Sequence, residues 1–389
     1  MTSEERHAAR RARRERRRAE KRRRDLAAYD RYENVTSLNH LVDAAYLSRQ
    51  GTGRKASVQR YMMNLMRNSV QSRDKLLRGE DVRQGFIEFD LHERGKARHI
   101  RAMHVKERVI QRCLCDFALV PVLRRSLVYD NGASMKGKGI HFALFRLRDM
   151  LRRYVRKHGT QGYILLVDFS GYFDNIQHRP IRELLIRSFE DRRIRWLTWQ
   201  FVKAFGGGSL GIGSQVSQIL AVSYPNRVDH RIKEVYRAGL SARYMDDSYV
   251  IHHDRRCLVR LLEDCRRMWE ALGIRLNPRK TQIIPIRRFS FMQVRFRLTP
   301  TGRVLMLPNR KSFTRMRRKL RSFAGMVARG EMTTGQVNTC YQSWRGYHGH
   351  VQAREALRRM DRYYRDLFGE WPNQKKGGMN NHDLQLLCG

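Results

Sequence analysis

Acidic residues are the scarce class in this 389-residue chain, with 37 Asp and Glu against 80 Lys and Arg and a formal net charge of +43. A compact state so far from neutrality repels itself unless a polyanion offsets the charge. The basic residues recur from Arg6 to Lys376 without clustering beside an apolar anchor, which favours nucleic acid over a membrane surface as that polyanion. Long apolar runs are missing as well. No stretch of about 18 such residues offers a membrane span, and the N-terminus has no apolar signal core, so a cytoplasmic protein is expected. The six cysteines (Cys113, Cys115, Cys257, Cys265, Cys340, Cys388) include no C-x-x-C pair, which removes zinc-ribbon and disulfide-framework readings and leaves buried thiols. A hydrophobic content of 41% still supports a core, arranged as one multi-lobed unit or as two to three subdomains.

Residues 6–24, RHAARRARRERRRAEKRRR, contain no large apolar residue and cannot build a core. The run reads either as a solvated helix or disordered tail, or as an arm that orders on RNA phosphates. Apolar residues at helical spacing (Leu38, Leu41, Ala45, then Val58, Tyr61, Leu65) predict two helices between Asn34 and Arg78. GFIEFDLHERGKARHIRAMHV alternates as a hairpin that turns near Glu93-Arg94-Gly95. Helix is predicted for Lys106–Leu123, for a basic stretch ending near His158, for Pro180–Phe205, for Ile219–Ala238 and for Cys257–Leu272. GGGSLGIGSQVSQ reads as a glycine-rich loop. NGASMKGKG suits phosphates or serves as an ordinary helix entry. Thr281–Ile286 reads as a strand, Phe289–Leu307 as a hairpin, and helices follow from Ser312 and over Thr334–Leu367.

Three acids stand out from the basic background. YILLVDFSGYFDNI has the near-continuous apolar run of a strand buried on both faces, ending at Asp168. ARYMDDSYVIHHD sets Asp246 and Asp247 in a turn between two short strands. Carboxylates withdrawn from water need cations. Lys or Arg partners are one answer. The other is Mg²⁺, which selects oxygen ligands and completes its shell with substrate phosphates; two such ions about 3.5 to 4 Å apart clamp the attacking and leaving oxygens of a phosphoryl displacement. His252 and His253 follow the acidic pair, and a metal site there is discounted because adjacent side chains on a strand are expected on opposite faces. Asp174 reads as a turn cap or a partner of Arg179.

Tyr244-Met245-Asp246-Asp247 resembles the Y-x-D-D signature of reverse transcriptases, and the order of the surrounding segments extends the likeness over roughly residues 35–365. DFSGYF is similar to the family's first acidic motif, GSQVSQ to its middle loop, LGIRLNPRKTQI to the segment after the acids, FSFMQVRF to its primer-grip hairpin and GKARHI to its fingers strand. The resemblance implies an α+β right-hand polymerase: an Arg-rich extension over 1–33, fingers over 34–160, a palm over 161–300 with a fingers insertion near 180–212, a helical thumb over 301–370 and a tail over 371–389. It implies RNA-directed DNA synthesis with two Mg²⁺ ions, Mn²⁺ being the alternative. Asp168 and Asp246 would ligate both ions, Asp247 would support them, and the Phe169 carbonyl would complete one shell.

By the same resemblance Phe173 lies beneath the sugar and leaves no room for a 2′-hydroxyl, with core packing as its plain alternative. Gly171 and Tyr172 amides, Lys96, Arg98, Gly213 and Gln218 would hold a deoxynucleoside triphosphate. Lys280 is a candidate proton donor to pyrophosphate, or a solvated strand-edge lysine. Tyr244, Met245 and Ser217 would meet primer or template, and Arg345 in SWRGYHGHVQARE would track a duplex or pack helices. The implied partners are one dedicated noncoding RNA as template and the cDNA product, with no membrane; a second copy or an accessory protein is left open. Ser217-Gln218 resembles the bacterial diversity-generating-retroelement, prophage and antiphage-defence branches, whereas Met292-Gln293 departs from the usual Leu-Gly. Template-independent or protein-primed DNA synthesis is the enzymatic alternative, and an inactive RNA-binding scaffold the non-enzymatic one.

Overall fold

The computed structural model describes residues 2–93 and 96–372, without the side chains of His92, Glu93 and Lys96. The turn expected at Arg94-Gly95, the tail from 373 onward, the Lys96 side chain and Cys388 lie outside the described residues. Two compact units are present. Both mix helix with antiparallel strands, as the sequence pattern implied.

The first unit holds the chain up to Val128, Gly171–Val228 and Trp269–Arg275. The arginine run is a helix, Ser3–Tyr29, opened by a capping box in which the Thr2 hydroxyl accepts from the Glu5 amide and the Glu5 carboxylate accepts from the Thr2 amide. The two helices expected after Asn34 are divided further, into Leu38–Arg49, Ala56–Met63 and Leu65–Leu77. Strands β1 (Phe86–Glu93) and β2 (Lys96–Met103) pair antiparallel from Phe86 opposite Met103. The helix expected over Lys106–Leu123 starts at Val105 and widens into a π turn at Cys115–Leu119 before Pro121, whose ring lacks the N–H that would continue the ladder.

Pro180–Phe205 is two helices rather than one, His178–Ser188 and Arg192–Lys203. Asp191 starts the second: its carboxylate accepts from the Arg193 amide at 2.8 Å, and its other oxygen takes the Tyr32 amide at 2.9 Å. The glycine-rich loop is shorter than expected, because Ser214 caps a helix Gln215–Ser223 by accepting from the Ser217 amide. Ser217 and Gln218 thus belong to its first turn. Helix over Ile219–Ala238 is likewise interrupted near Pro225, resuming as Asn226–His230 and a π turn Arg231–Val235.

The second unit holds Tyr129–Ser170, Asp229–Met268 and the chain from Leu276 to the end of the described residues. Its sheet consists of β3 (Tyr163–Val167), β4 (Ser241–Tyr244), β5 (Asp247–His252) and β6 (Gln282–Pro285) in the order β4-β5-β3-β6, with every pairing antiparallel. Ile164 to Val167 are all buried, as the apolar run required. The helix Ile140–His158 lays Leu147, Leu151 and Tyr154 against Ile164, Leu166, Tyr249 and Ile251, each large side chain contributing about 2 kcal/mol of burial. The segment expected as a hairpin after Phe289 has a third strand: β7 (Arg288–Phe291), β8 (Val294–Leu298) and β9 (Val304–Pro308), ordered β9-β8-β7. Phe289, Phe291, Phe296 and Leu298 alternate into the same core. The helices Arg310–Ala328, Thr334–His348 and Arg354–Phe368 share a separate core around Leu320, Tyr341, Met360 and Tyr364. Among the described residues no helix is long and apolar enough to cross a membrane.

Candidate active site

Strand register positions the acids. In β3 and β5 Val167 lies opposite Ser248, and in β4 and β5 Tyr244 lies opposite Asp247. One residue beyond Val167, Asp168 therefore comes level with Asp247, while Met245 and Asp246 form the two-residue turn joining β4 to β5. Met245 has φ of +53°, a left-handed conformation that an unbranched non-glycine residue adopts only at a cost. Burial pushes the Asp247 carboxyl up to about 7, and the charges of Asp246 and then Asp168 push it the same way, while Lys280 opposes them. Burial raises the Tyr244 phenol too, again helped by Asp246 and Asp247.

Asp168 is fixed by the segment Asn277–Thr281. Lys280 Nζ donates to Oδ1 at 2.6 Å, Asn277 Nδ2 donates to Oδ2 at 3.0 Å, and the Asn277 amide donates to the Asp168 carbonyl at 2.8 Å. Thr281 Oγ1 stands 3.3 Å from both the amide and the carbonyl of Asp168. The bond to Asp168 is also what raises the Lys280 ammonium. Lys280 is thus a counterion of Asp168, although more than half of its side chain remains exposed.

The turn is braced by a side chain that sequence reasoning passed over. Arg243 is 4% exposed, and its guanidinium donates twice to Asp229, Nε at 3.0 Å and Nη2 to Oδ2 at 2.7 Å. Its Nη1 donates to the Met245 carbonyl at 3.1 Å, so one buried ion pair ends on the backbone that carries Asp246. The outer edge of β4 is held as well: the Arg243 amide donates to the Asp130 carbonyl and the Gly132 amide to the Arg243 carbonyl. Asn277, Thr281 and Asp229 were also missed. The Asn-Pro pair at 277–278 is a turn signal that marks the first two, and an arginine at an inward position of β4 demands a buried acid.

The other candidates fall as follows. Phe169 is buried in the second unit. Gly171 has φ of +51° and caps a short helix, Tyr172–Asn175. The Tyr172 side chain is buried with its hydroxyl donating to the Ala221 carbonyl at 2.6 Å. Phe173 is half-buried, edge-on to Tyr172 at 5.9 Å. Arg98 is exposed on β2. Gly213 lies against β2 so closely that a Cβ there would stand 2.4 Å from the Arg101 carbonyl oxygen, which gives this glycine a packing reason of its own. Gln218 is half-buried.

Two residues expected at nucleic acid are held within the protein. Ser217 is 1% exposed, so as it stands its hydroxyl does not face a primer or template. Arg345 pairs with Asp361 through Nε at 2.9 Å and Nη2 at 3.0 Å, with the Tyr341 hydroxyl on the same carboxylate, an arrangement that joins the helices Thr334–His348 and Arg354–Phe368. Arg179, weighed as a partner for Asp174, pairs with Glu183 instead.

The donor set is hard oxygen, with the Asp247 carboxyl lifted toward neutrality first by burial and then by the charges of Asp246 and Asp168, and a divalent cation would offset both costs. Among the described residues no three His, Cys, Asp or Glu side chains stand close enough to enclose an ion.

Residues 90–296 match the family described as reverse transcriptase (RNA-dependent DNA polymerase). Protein YkfC of Escherichia coli (strain K12) is 24% identical over 231 residues, which cover 49% of this chain and 60% of that protein. The chain thus spans less than two thirds of that relative. Among solved structures, telomerase from Candida albicans with a TWJ fragment of telomeric RNA aligns at a TM-score of 0.44 and 13% identity, over 62% of this chain and 49% of that one. Apo telomerase from Candida tropicalis aligns at 0.44 and 15%, over 57% and 54%.

Proposed function

The chain belongs to the reverse transcriptase family, and from that premise we propose that it copies an RNA template into DNA at the acids of the β3–β5 sheet. The observation that carries the reading is the register that sets Asp168 level with Asp247 and beside the turn of Asp246. Asp168, Asp246, Asp247 and the Phe169 carbonyl would hold divalent ions, Mg²⁺ being the hard cation that oxygen ligands select. Two such ions, when bound, supply charge stabilisation to a phosphoryl displacement.

The chain's own residues do the rest. Asn277 and Thr281 fix the orientation of Asp168. Lys280, kept charged by that acid, stands ready to give a proton to departing pyrophosphate. By the family resemblance Phe173 would select deoxynucleotides and Arg98 would draw in the triphosphate. In this reading the first unit supplies the fingers, the β3–β6 sheet the palm, and the helices after Arg310 the thumb. The template is a dedicated noncoding RNA of a bacterial retroelement or defence system, which the Ser217-Gln218 pair favours.

The test is the double substitution Asp246→Ala, Asp247→Ala. DNA synthesis on a primed RNA template should fall to background, while the melting temperature and RNA affinity stay near those of the parent protein. Continued synthesis by the double variant would overturn the assignment.

A further inference from the structure

The N-terminal helix is sided in a way that its composition hides. Arg6, Arg10, Arg13, Arg17, Lys21 and Arg24 recur every three or four residues. At about 100° per residue these six share a sector of ~80°, a stripe running ~27 Å along the helix. All six are exposed. The one buried residue of the helix, Leu26, lies about 180° from the centre of the stripe. Next to it the helix is anchored: Arg22 donates to the Arg187 carbonyl at 3.0 Å, and Arg125 donates to the Arg22 carbonyl at 3.0 Å and pairs with Asp25 at 2.9 Å. The face that packs against the rest of the first unit, at the C-terminal end of the helix, is therefore the one opposite this stripe, while other arginines lie on the flanks.

We propose that this stripe is a rail for the sugar–phosphate backbone of a nucleic-acid duplex. The proposal rests on the polymerase reading for its class of ligand and goes beyond it in placing a binding surface outside the residues of the candidate site. From Ser3 to Arg24 the helix has no Phe, Tyr, Trp, Asn or Gln, so His7 is its one aromatic ring and it has no amide side chain to read base edges. What remains is charge in a regular, rigid row, which suits a stiff duplex and is indifferent to sequence. Arg11, by contrast, lies off the stripe and is already paired with Glu15 at 3.1 Å.

The test compares two triple variants of the full-length protein with equal loss of charge: Arg10→Gln, Arg13→Gln, Arg17→Gln on the stripe, and Arg11→Gln, Arg16→Gln, Arg18→Gln about 100° or more away from its centre. Glutamine keeps the helix propensity, and circular dichroism checks it. Binding is read without nucleotides, using duplexes of about 20 base pairs of RNA, of DNA and of the RNA·DNA hybrid, across roughly 50 to 200 mM KCl. The stripe variant should lose about tenfold in affinity for at least one duplex, its log–log salt slope shrinking by about 2 to 3, and the off-stripe variant should stay within about threefold. The duplex that responds identifies the source of the backbone. Equal losses in both variants, or none in either, would overturn the rail. Because no synthesis is measured, failure of the polymerase reading would show separately in the Asp246→Ala, Asp247→Ala experiment.

Discussion

At the residue scale, the three acids were legible because a carboxylate is conspicuous where 80 basic side chains surround it and an apolar strand leads up to it. The residues that orient them were not, since their partners are distant in sequence: Asp229 reaches Arg243 across 14 positions and Asn277 reaches Asp168 across 109. The partner of Arg345 was hidden for the same reason, Asp361 lying 16 residues on. Arg243 and Asp229 form a buried pair, and removing one member of such a pair strands the other charge. Asp229→Asn should therefore cost about 3 to 5 kcal/mol in a urea titration, and synthesis should weaken beyond what the loss of folded protein explains. His348 gives a second measurement. It is 1% exposed, bonded through Nε2 to the Ser312 hydroxyl at 3.0 Å, and burial lowers its pKa to about 4. The unfolded chain protonates this imidazole near 6.5 and the folded one does not, so stability declines as pH falls from about 6.5 to 4, by roughly 3 kcal/mol in all. A His348→Gln variant should show a flatter profile over that window.

Among elements, the strands and their order were readable from alternation and apolar runs, whereas helix breaks were not. Asp191, Ser214 and Pro225 each end or begin a helix through a local cap or a missing N–H, which periodicity averages away. The turn between β7 and β8 is the sharpest case. Met292 and Gln293 have φ of +46° and +67°, the pair of left-handed residues that a tight hairpin requires, with no glycine to ease it. The Tyr347 hydroxyl donates to the Met292 carbonyl at 2.6 Å and steadies the strained link. Gln293→Gly should raise stability by about 0.5 to 1 kcal/mol, read as a higher melting temperature, since glycine takes that conformation without penalty.

For the molecule as a whole, +43 is the dominant fact. Self-repulsion is screened by salt within a Debye length of about 10 Å at 0.1 M. The melting temperature should rise when KCl is taken from about 20 to 300 mM, and a proportionate fall would show that its surface ion pairs outweigh the repulsion. Composition announced this charge and spacing laid out the stripe on the N-terminal helix, but the coordinates reveal which face of that helix is buried.

The loop before Ser214 carries a different legacy. At Gly206, Gly207 and Gly208 a Cβ would meet nothing within 4 Å, and an asparagine could settle into their left-handed backbones; at Gly213 the carbonyl of Arg101 occupies the place where any side chain would begin. Drift in this stretch is thereby channelled upstream. A randomised library would return diversity at 206–208 and a single letter at 213.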